Sequence, residues 1–195
     1  MNCPFCELDD KDISNTIIEA TESFLILPTK GSLCDGYLLV IPKQHLNSMN
    51  ELSHEQKQEL IFVLKKHREK FYEVYGKYPF FFEHGSAGEN AEASSKSVTH
   101  AHIHIVNHNF KNENEIKEQI NLKRVSEEEF FENKKANYIS YISPEFEFFI
   151  SYNFKPVSQQ MRIYIANDLG LADYNWKTSN FDNNILSTIK NFKID

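Results

Sequence analysis

Residues 99–106 have the sequence Thr-His-Ala-His-Ile-His-Ile-Val, in which three histidines alternate with small or branched apolar residues. A period of two predicts a half-buried strand, because successive side chains of a strand point to opposite faces. His100, His102 and His104 would then share one face, and the apolar residues between them would face the core. Neighbouring imidazoles would be rooted roughly 6.6 Å apart, close enough for two of them to share one metal ion or one phosphate group.

Two kinds of site fit these alternating histidines, and the pattern alone leaves both open. One is a metal site that uses the His-x-His ligand spacing, and the other is a phosphate site in which one histidine is the nucleophile. A solvated strand face that happens to carry histidines is the plainer alternative. Three in strict alternation argue against it, because histidine is not among the residues that strands favour.

The composition is that of an ordinary globular chain, with 195 residues, 41% of them hydrophobic and 25% charged. A net charge of −7, without any basic block, argues against a surface that wraps nucleic acid. We see neither a targeting segment nor an apolar run long enough to cross a membrane. The three cysteines are an odd number and cannot all pair in disulfides. We therefore expect reduced thiols and a cytoplasmic protein rather than a disulfide framework.

Strand and helix patterns precede the histidines. Residues 23–28 and 36–42 predict two strands that pair antiparallel across a turn-rich connection. Ser53 and Gln56 have the spacing of a capping box, which predicts the start of an amphipathic helix that ends near Gly76. The elements expected after this helix are a strand at 80–85, a flexible loop at 86–97, one or two exposed helices within 109–137, a strand at 146–152, and helices at 159–169 and 186–192.

Three stretches of the chain resemble a known family. Residues 100–106 match the signature of the histidine triad (HIT) superfamily of nucleotide hydrolases and transferases, and residues 38–45, Leu-Leu-Val-Ile-Pro-Lys-Gln-His, resemble its second characteristic stretch. The Cys-x-x-Cys at residues 3–6 resembles the zinc-containing branch related to galactose-1-phosphate uridylyltransferases. The resemblance implies an α+β fold, with a catalytic core over residues 1–108 that has an antiparallel sheet and a flanking helix. We expect residues 109–195 to be an α/β extension packed on that core.

The resemblance also assigns catalytic roles. His102 would be the nucleophile that attacks an α-phosphorus and forms a nucleotidyl-histidine intermediate, and His104 would donate a hydrogen bond to the phosphate. Ser97 stands where the family often has a serine or threonine near the phosphate and the leaving group. Lys96 stands where a glutamine is common, and a lysine there could meet an extra phosphate or an acidic substrate.

A structural zinc ion is the cofactor that the resemblance implies. Its ligands would be Cys3, Cys6, His45 and His100. Four protein ligands of the Cys₂His₂ type make a closed tetrahedral site, which is structural rather than catalytic.

The implied function is a nucleotidyl hydrolase or transferase, of the phosphoric anhydride or phosphoramidate class, that acts on a nucleotide or dinucleotide. One alternative is a metal-dependent hydrolase that uses the triad histidines as zinc ligands. The other is a non-catalytic nucleotide-binding module, because residues 25–28 lack the carboxylate that many members use to bind ribose. Arg162 either reaches a phosphate or is a surface or packing residue. Family members are often dimers, so we also expect a homodimer.

Overall fold

A mixed sheet and helix architecture, with eight antiparallel strands in one sheet, forms the part of the molecule that is described. The computed structural model describes residues 3–85, 100–132, 137–152, 157–179 and 181–193. The strands are β1 (Glu19–Ala20), β2 (Phe24–Pro28), β3 (Tyr37–Pro42), β4 (Phe80–Gly85), β5 (Ile103–Val106), β6 (Lys123–Val125), β7 (Tyr138–Ile142) and β8 (Phe148–Ser151). Their order in the sheet is β1-β2-β3-β5-β4-β7-β8-β6, and the paired neighbours are antiparallel. This is the α+β fold expected from the sequence.

Helices lie on both faces of the sheet. They are α1 (His54–Tyr75), α2 (Glu113–Gln119), α3 (Glu127–Phe130), α4 (Gln160–Leu169) and α5 (Asp182–Phe192). Helix α1 and the end of α5 pack in one core cluster with alternate residues of β2, β3 and β5. Helix α4 packs in a second cluster with the opposite side chains of β3, β4 and β7. The sheet is therefore enclosed between two apolar layers.

Helix α1 has the boundaries that its sequence predicts. Ser53 accepts from the backbone of Gln56, and the Gln56 side chain accepts from the backbone of Ser53, which completes the capping box. Gly76 ends the helix in the left-handed conformation at φ 68°. The buried residues of α1 are Leu60, Val63, Leu64, His67 and Phe71. In its last turn Val74 and Tyr75 are half-buried, and Tyr75 packs against the core cluster.

Strand β3 holds the histidine strand in place. All six residues of β3 are buried, as expected for a strand inside the sheet. Strand β5 lies between β3 and β4, where His104 pairs with Leu39 on one side and Phe82 on the other. Because paired residues point to the same face, His104 shares its face with these two apolar side chains.

The histidine strand is shorter than its alternation predicts. Regular strand geometry begins only at Ile103, so His100 and His102 lie in the segment that leads into β5. The cause is a competing backbone bond: the amide of Ala101 donates to the carbonyl of Leu46, in the loop after β3, at 2.7 Å. The alternation itself persists, because Ala101 and Ile103 are buried in the first core cluster.

The C-terminal region adds three strands to the sheet. Strand β7, which no pattern singled out, pairs with β4 over five residues, from Phe81 opposite Ile142 to Gly85 opposite Tyr138. Strand β8, expected at 146–152, pairs next to it. The polar segment 109–137 contains two short helices, as expected, together with the unexpected strand β6. Among the described residues, no helix combines the length and apolar character that crossing a bilayer requires.

Candidate active site and metal centre

Four predicted metal ligands converge at one end of the histidine segment. Cys3 and Cys6 lie in an N-terminal turn, in which the amide of Cys6 donates to the carbonyl of Cys3 at 3.1 Å. His45 follows β3, and His100 precedes β5. One potential ligand atom from each of the four lies within 4.8 Å of all the others. The structure thus brings together the whole ligand set that the resemblance implied.

The distances within this cluster suit a tetrahedral metal ion. The Cys6 sulfur is 3.2 Å from His45 Nδ1 and 3.6 Å from His100 Nδ1, and the Cys3 sulfur is 3.4 Å from His100 Nδ1. Bond lengths of about 2.3 Å to sulfur and about 2.0 Å to nitrogen give a sulfur–nitrogen edge of about 3.5 Å in a tetrahedron. The donor set and its spacing therefore fit zinc.

A hydrogen bond to the backbone fixes the orientation of the His100 ring in this cluster. Its Nε2 donates to the carbonyl of Pro42 at 2.8 Å, which puts the lone pair on Nδ1, beside the two cysteines. Burial lowers the pKa of His100 below its usual value, which favours the neutral form that a metal ligand needs.

His102 is held in the opposite tautomer. Its Nδ1 donates to the carbonyl of His100 at 2.8 Å, so that the lone pair of the neutral ring is on Nε2. The ring is 5.5 Å from that of Phe5 and 4.8 Å from that of His104, centre to centre. Phe5 is also in edge contact with His100, so the N-terminal turn packs against both histidines.

His104 lies between two aromatic rings. It stacks on Phe82 with the ring centres 4.2 Å apart, and it meets Tyr37 edge-on at 5.6 Å. Its Nδ1 is buried and has no hydrogen-bond partner among the described residues. Burial, followed by the neighbouring His102 and the Arg162 charge, holds the pKa of His104 well below its usual value. His104 is therefore neutral near pH 7.

A cavity of about 250 Å³ opens beside these rings. His84 and His104 line it from the sheet, His102 from the segment that leads into β5, and Met161 and Arg162 from α4. The N-terminal segment forms another wall, with Phe5 nearest the histidines. The cavity is large enough to take part of a nucleotide but smaller than a typical drug-sized site.

An ion pair lies at the wall formed by the N-terminal segment. Lys30 is 2.8 Å from Asp12, and both line the cavity. Burial opposes ionisation of Asp12, but hydrogen bonds from Lys30 and Ser14 outweigh it and lower the pKa of the carboxyl. The positive charge of Lys30 is thus already matched within the protein.

The segment Glu83-His84-Gly85 of β4 has a divided role that its sequence did not reveal. Glu83 is buried and accepts from Tyr138 Oη at 2.7 Å and from the Met49 amide at 2.8 Å. A Cβ on Gly85 would lie 1.9 Å from the Tyr138 ring, so only glycine leaves room for that ring. His84, between them, lines the cavity instead. Strand alternation is the sequence signal that separates the structural pair from the cavity residue.

Two predicted substrate-binding residues, Ser97 and Lys96, lie outside the described residues, together with the loop predicted at 86–97. Arg162, for which the sequence left two interpretations open, is buried beside the cavity.

Residues 2–120 match the model of a family described as "Scavenger mRNA decapping enzyme C-term binding". The chain belongs to this family. With it, the chain falls in the HIT superfamily, as its sequence predicts. The narrower branch with galactose-1-phosphate uridylyltransferases stays a prediction.

Similar proteins include a curated relative and two solved structures that are named for the histidine triad. "Protein hit" of Bacillus subtilis (strain 168) is 25% identical over 105 residues, which are 54% of this chain and 70% of that one. A solved Zn-bound histidine triad family protein from Mycobacterium smegmatis is 23% identical, with a TM-score of 0.40, over 53% of this chain and 73% of that one. A solved hypothetical histidine triad nucleotide-binding protein from Sulfolobus tokodaii is 23% identical, with a TM-score of 0.42, over 53% and 67% of the two chains.

Proposed function

We propose that this protein is a HIT-type nucleotidyl hydrolase or transferase in which His102 is the nucleophile. The observation that carries the proposal is the hydrogen bond from His102 Nδ1 to the His100 carbonyl. This bond puts the lone pair on Nε2 of a ring that lines the cavity. A neutral imidazole in a fixed orientation is a competent nucleophile near pH 7.

The proposed reaction has two displacements at the α-phosphorus of a small-molecule nucleotide or dinucleotide. In the first, the Nε2 lone pair forms a phosphorus–nitrogen bond while the bond from phosphorus to the leaving group breaks. In the second, water or another acceptor attacks the same phosphorus and loses its proton to solvent, while the phosphorus–nitrogen bond breaks and its electron pair returns to His102 Nε2. His104, neutral and fixed between two rings, donates a hydrogen bond from the ring nitrogen other than the enclosed Nδ1 to a phosphoryl oxygen.

We assign the metal centre a structural role, with Cys3, Cys6, His45 and His100 holding zinc. When bound, zinc supplies a cross-link between the N-terminal turn and the sheet. This cross-link keeps Phe5 against the histidines. Ser97 completes the proposal as a residue near the substrate phosphate and leaving group, and Lys96 as one that meets an extra phosphate or an acidic part of the substrate.

The donor set argues against the metal-dependent hydrolase. Only His100 of the three histidines belongs to the cluster, and four protein ligands leave no open position for a catalytic water. His102 instead donates a hydrogen bond from Nδ1 to the backbone carbonyl of His100. The described cysteines form no disulfide, and both zinc-bound thiolates and the remaining Cys34 thiol fit a reducing compartment such as the cytoplasm. The homodimer implied by the family stays a prediction that light scattering would test.

We also propose that residues 109–195 pack on the core and do not fold alone. The pairing of β7 with β4 supports this, because removal of the core would leave β7 with an unpaired edge. A fragment of residues 109–195 should therefore show no cooperative unfolding transition. A cooperative transition in that fragment would contradict the proposal.

A chemical trap tests the covalent mechanism. A phosphorus–nitrogen bond to imidazole is labile in acid and more stable in base. Wild-type protein denatured in alkali during turnover of an α-labelled nucleotide should retain the label, and His102→Ala should retain none. His54→Ala is the matched control, because His54 is an exposed histidine on α1.

The result that would overturn the mechanism is full activity in a folded, metal-loaded His102→Ala protein. Binding of nucleotides without any turnover by the wild type would favour the non-catalytic module instead.

A further inference from the structure

A buried arginine from the C-terminal region lines the cavity. Arg162, in the first turn of α4, is 4% exposed. Its Nε donates to the carbonyl of Tyr174 at 2.8 Å, and its Nη2 donates to the carbonyl of Gly31. Its Nη1 is buried and has no hydrogen-bond partner among the described residues. No carboxylate in the described part of the chain forms an ion pair with it.

This arrangement differs from that of an ordinary packing arginine. A guanidinium is rarely buried without a negative partner, because removing its charge from water is costly unless an anion compensates. Two backbone carbonyls hold the side chain in one orientation but do not neutralise it. The Tyr37 hydroxyl, which the guanidinium also approaches, carries no charge to neutralise it, and Nη1 makes no hydrogen bond among the described residues of a wall that borders an open cavity. An anionic ligand would supply what the protein does not.

Ring contacts place this cation relative to the reacting histidines. The guanidinium carbon is 5.6 Å from the centre of the Tyr37 ring, and that ring is 5.6 Å from His104. His104 is in turn 4.8 Å from His102. The rings of His102, His104 and Tyr37 thus form a chain of contacts from the proposed nucleophile to Arg162. The cation is therefore close enough to His104 to act on its charge, and two intervening rings connect it to His102.

We propose that Arg162 binds an anionic group next to the reacting phosphate, and that the enzyme therefore prefers substrates with a second phosphate at that position. The inference rests on the proposed function. A guanidinium presents paired donors that match the oxygens of a phosphate. Lys30, the other described cation of the cavity wall, is 54% exposed at its side chain and paired with Asp12, so it does not compete for this role.

The rest of α4's first turn supports an anion at the same place. Gln159 and Met161 line the cavity with Arg162, so the positive end of the α4 dipole lies close to it. Gly31 permits the close approach of the Trp176 backbone and of the Arg162 side chain. A Cβ there would lie 2.8 Å from the Trp176 Cα and 3.3 Å from Arg162 Nη2.

The test compares ligands that differ by one phosphate. Binding of the four common nucleoside mono- and diphosphates, and of inorganic phosphate and pyrophosphate, would be measured by calorimetry in a His102→Ala background, which prevents turnover. Arg162→Met should weaken the diphosphates and pyrophosphate by roughly 10- to 100-fold, the range for a charged hydrogen bond. The monophosphates and phosphate should change less than about threefold.

Arg124→Met is the matched control. Arg124 is 68% exposed at its side chain, lies on β6, pairs with Glu147, and is absent from the cavity wall. It should change none of these affinities. If Arg162→Met does not fold, Arg162→Lys retains the charge and should show a smaller loss, still confined to ligands with two phosphates.

Two results would overturn the inference. An equal loss for mono- and diphosphates would assign Arg162 to the reacting phosphate itself. Unchanged affinities with a lower melting temperature would make it a structural tie between α4 and the loop of Gly31. Failure of the proposed function is distinguishable, because it would abolish label trapping on His102 while the comparison of pyrophosphate with phosphate still decides the role of Arg162.

Discussion

The candidate metal cluster and the cavity contain histidines only two residues apart, yet the two rings make opposite hydrogen bonds. His100 donates from Nε2 to the Pro42 carbonyl, which leaves its lone pair beside two thiols. His102 donates from Nδ1 to the His100 carbonyl, which leaves its lone pair on the nitrogen of a ring that lines the cavity. The hydrogen bond made by each ring, more than its place in the alternation, decides which nitrogen can react.

The largest expected effect separates these two histidines. His102→Ala should lower turnover by roughly 10⁴-fold or more, because it removes the covalent route and leaves only binding and positioning. Zinc content and melting temperature should stay at wild-type values. His100→Ala should lower zinc content, stability and activity together. The measurements are steady-state kinetics, metal analysis and thermal unfolding on the same preparations. Loss of zinc in His102→Ala would contradict the assignment of His100 to the metal and His102 to the phosphate.

The next effect concerns stability. Cys6→Ser should abolish stoichiometric zinc binding and lower the free energy of unfolding by about 3 kcal/mol or more, because binding at a structural site contributes directly to folding. Cys34→Ser, which alters a thiol outside the cluster, should keep the metal. Denaturant unfolding with and without a chelator measures both quantities. Undiminished zinc in a Cys3/Cys6 double mutant would refute the ligand assignment.

Some of these residues and elements could be predicted from the sequence, and others could not. The candidate metal ligands and the proposed nucleophile stand in short motifs, so their spacing could be recognised before any fold was known. Helix α1 was predictable because its ends are capped locally by Ser53 and Gly76. Strand β7 was not, because Ser140 interrupts its apolar residues while all five positions are buried, so the sequence shows neither alternation nor a continuous apolar run.

Features that depend on contacts between residues far apart in the chain could not be predicted from the sequence. Arg162 is buried because Gly31, 131 positions earlier, supplies a carbonyl for its guanidinium. The regular strand starts late because the Ala101 amide bonds to Leu46. Neither partner can be identified from residues near the one that it affects.

A smaller kinetic effect is expected at His104, to which we assign only a hydrogen bond to the phosphate. His104→Asn should slow turnover by roughly 10²–10³-fold, the cost of removing one donor to a transition state. Zinc content should not change, because His104 is outside the cluster. Retention of label in the alkaline trap would show that the nucleophile still works. A loss as large as that of His102→Ala would make His104 the nucleophile candidate instead.

The smallest effect is a dependence of stability on pH that belongs to His104. Burial holds its pKa well below the usual value of 6.5 in the folded protein. Below pH 6.5 the unfolded chain therefore takes up a proton that the folded chain does not, so the free energy of unfolding falls as the pH drops. The fall from this one group is at most about 1.4 kcal/mol per pH unit. His104→Asn should show a shallower fall than the wild type in urea unfolding between pH 6.5 and pH 5. Parallel curves for the two proteins would mean that folded His104 accepts the proton, and the enclosed, neutral donor assigned to it would have to be abandoned.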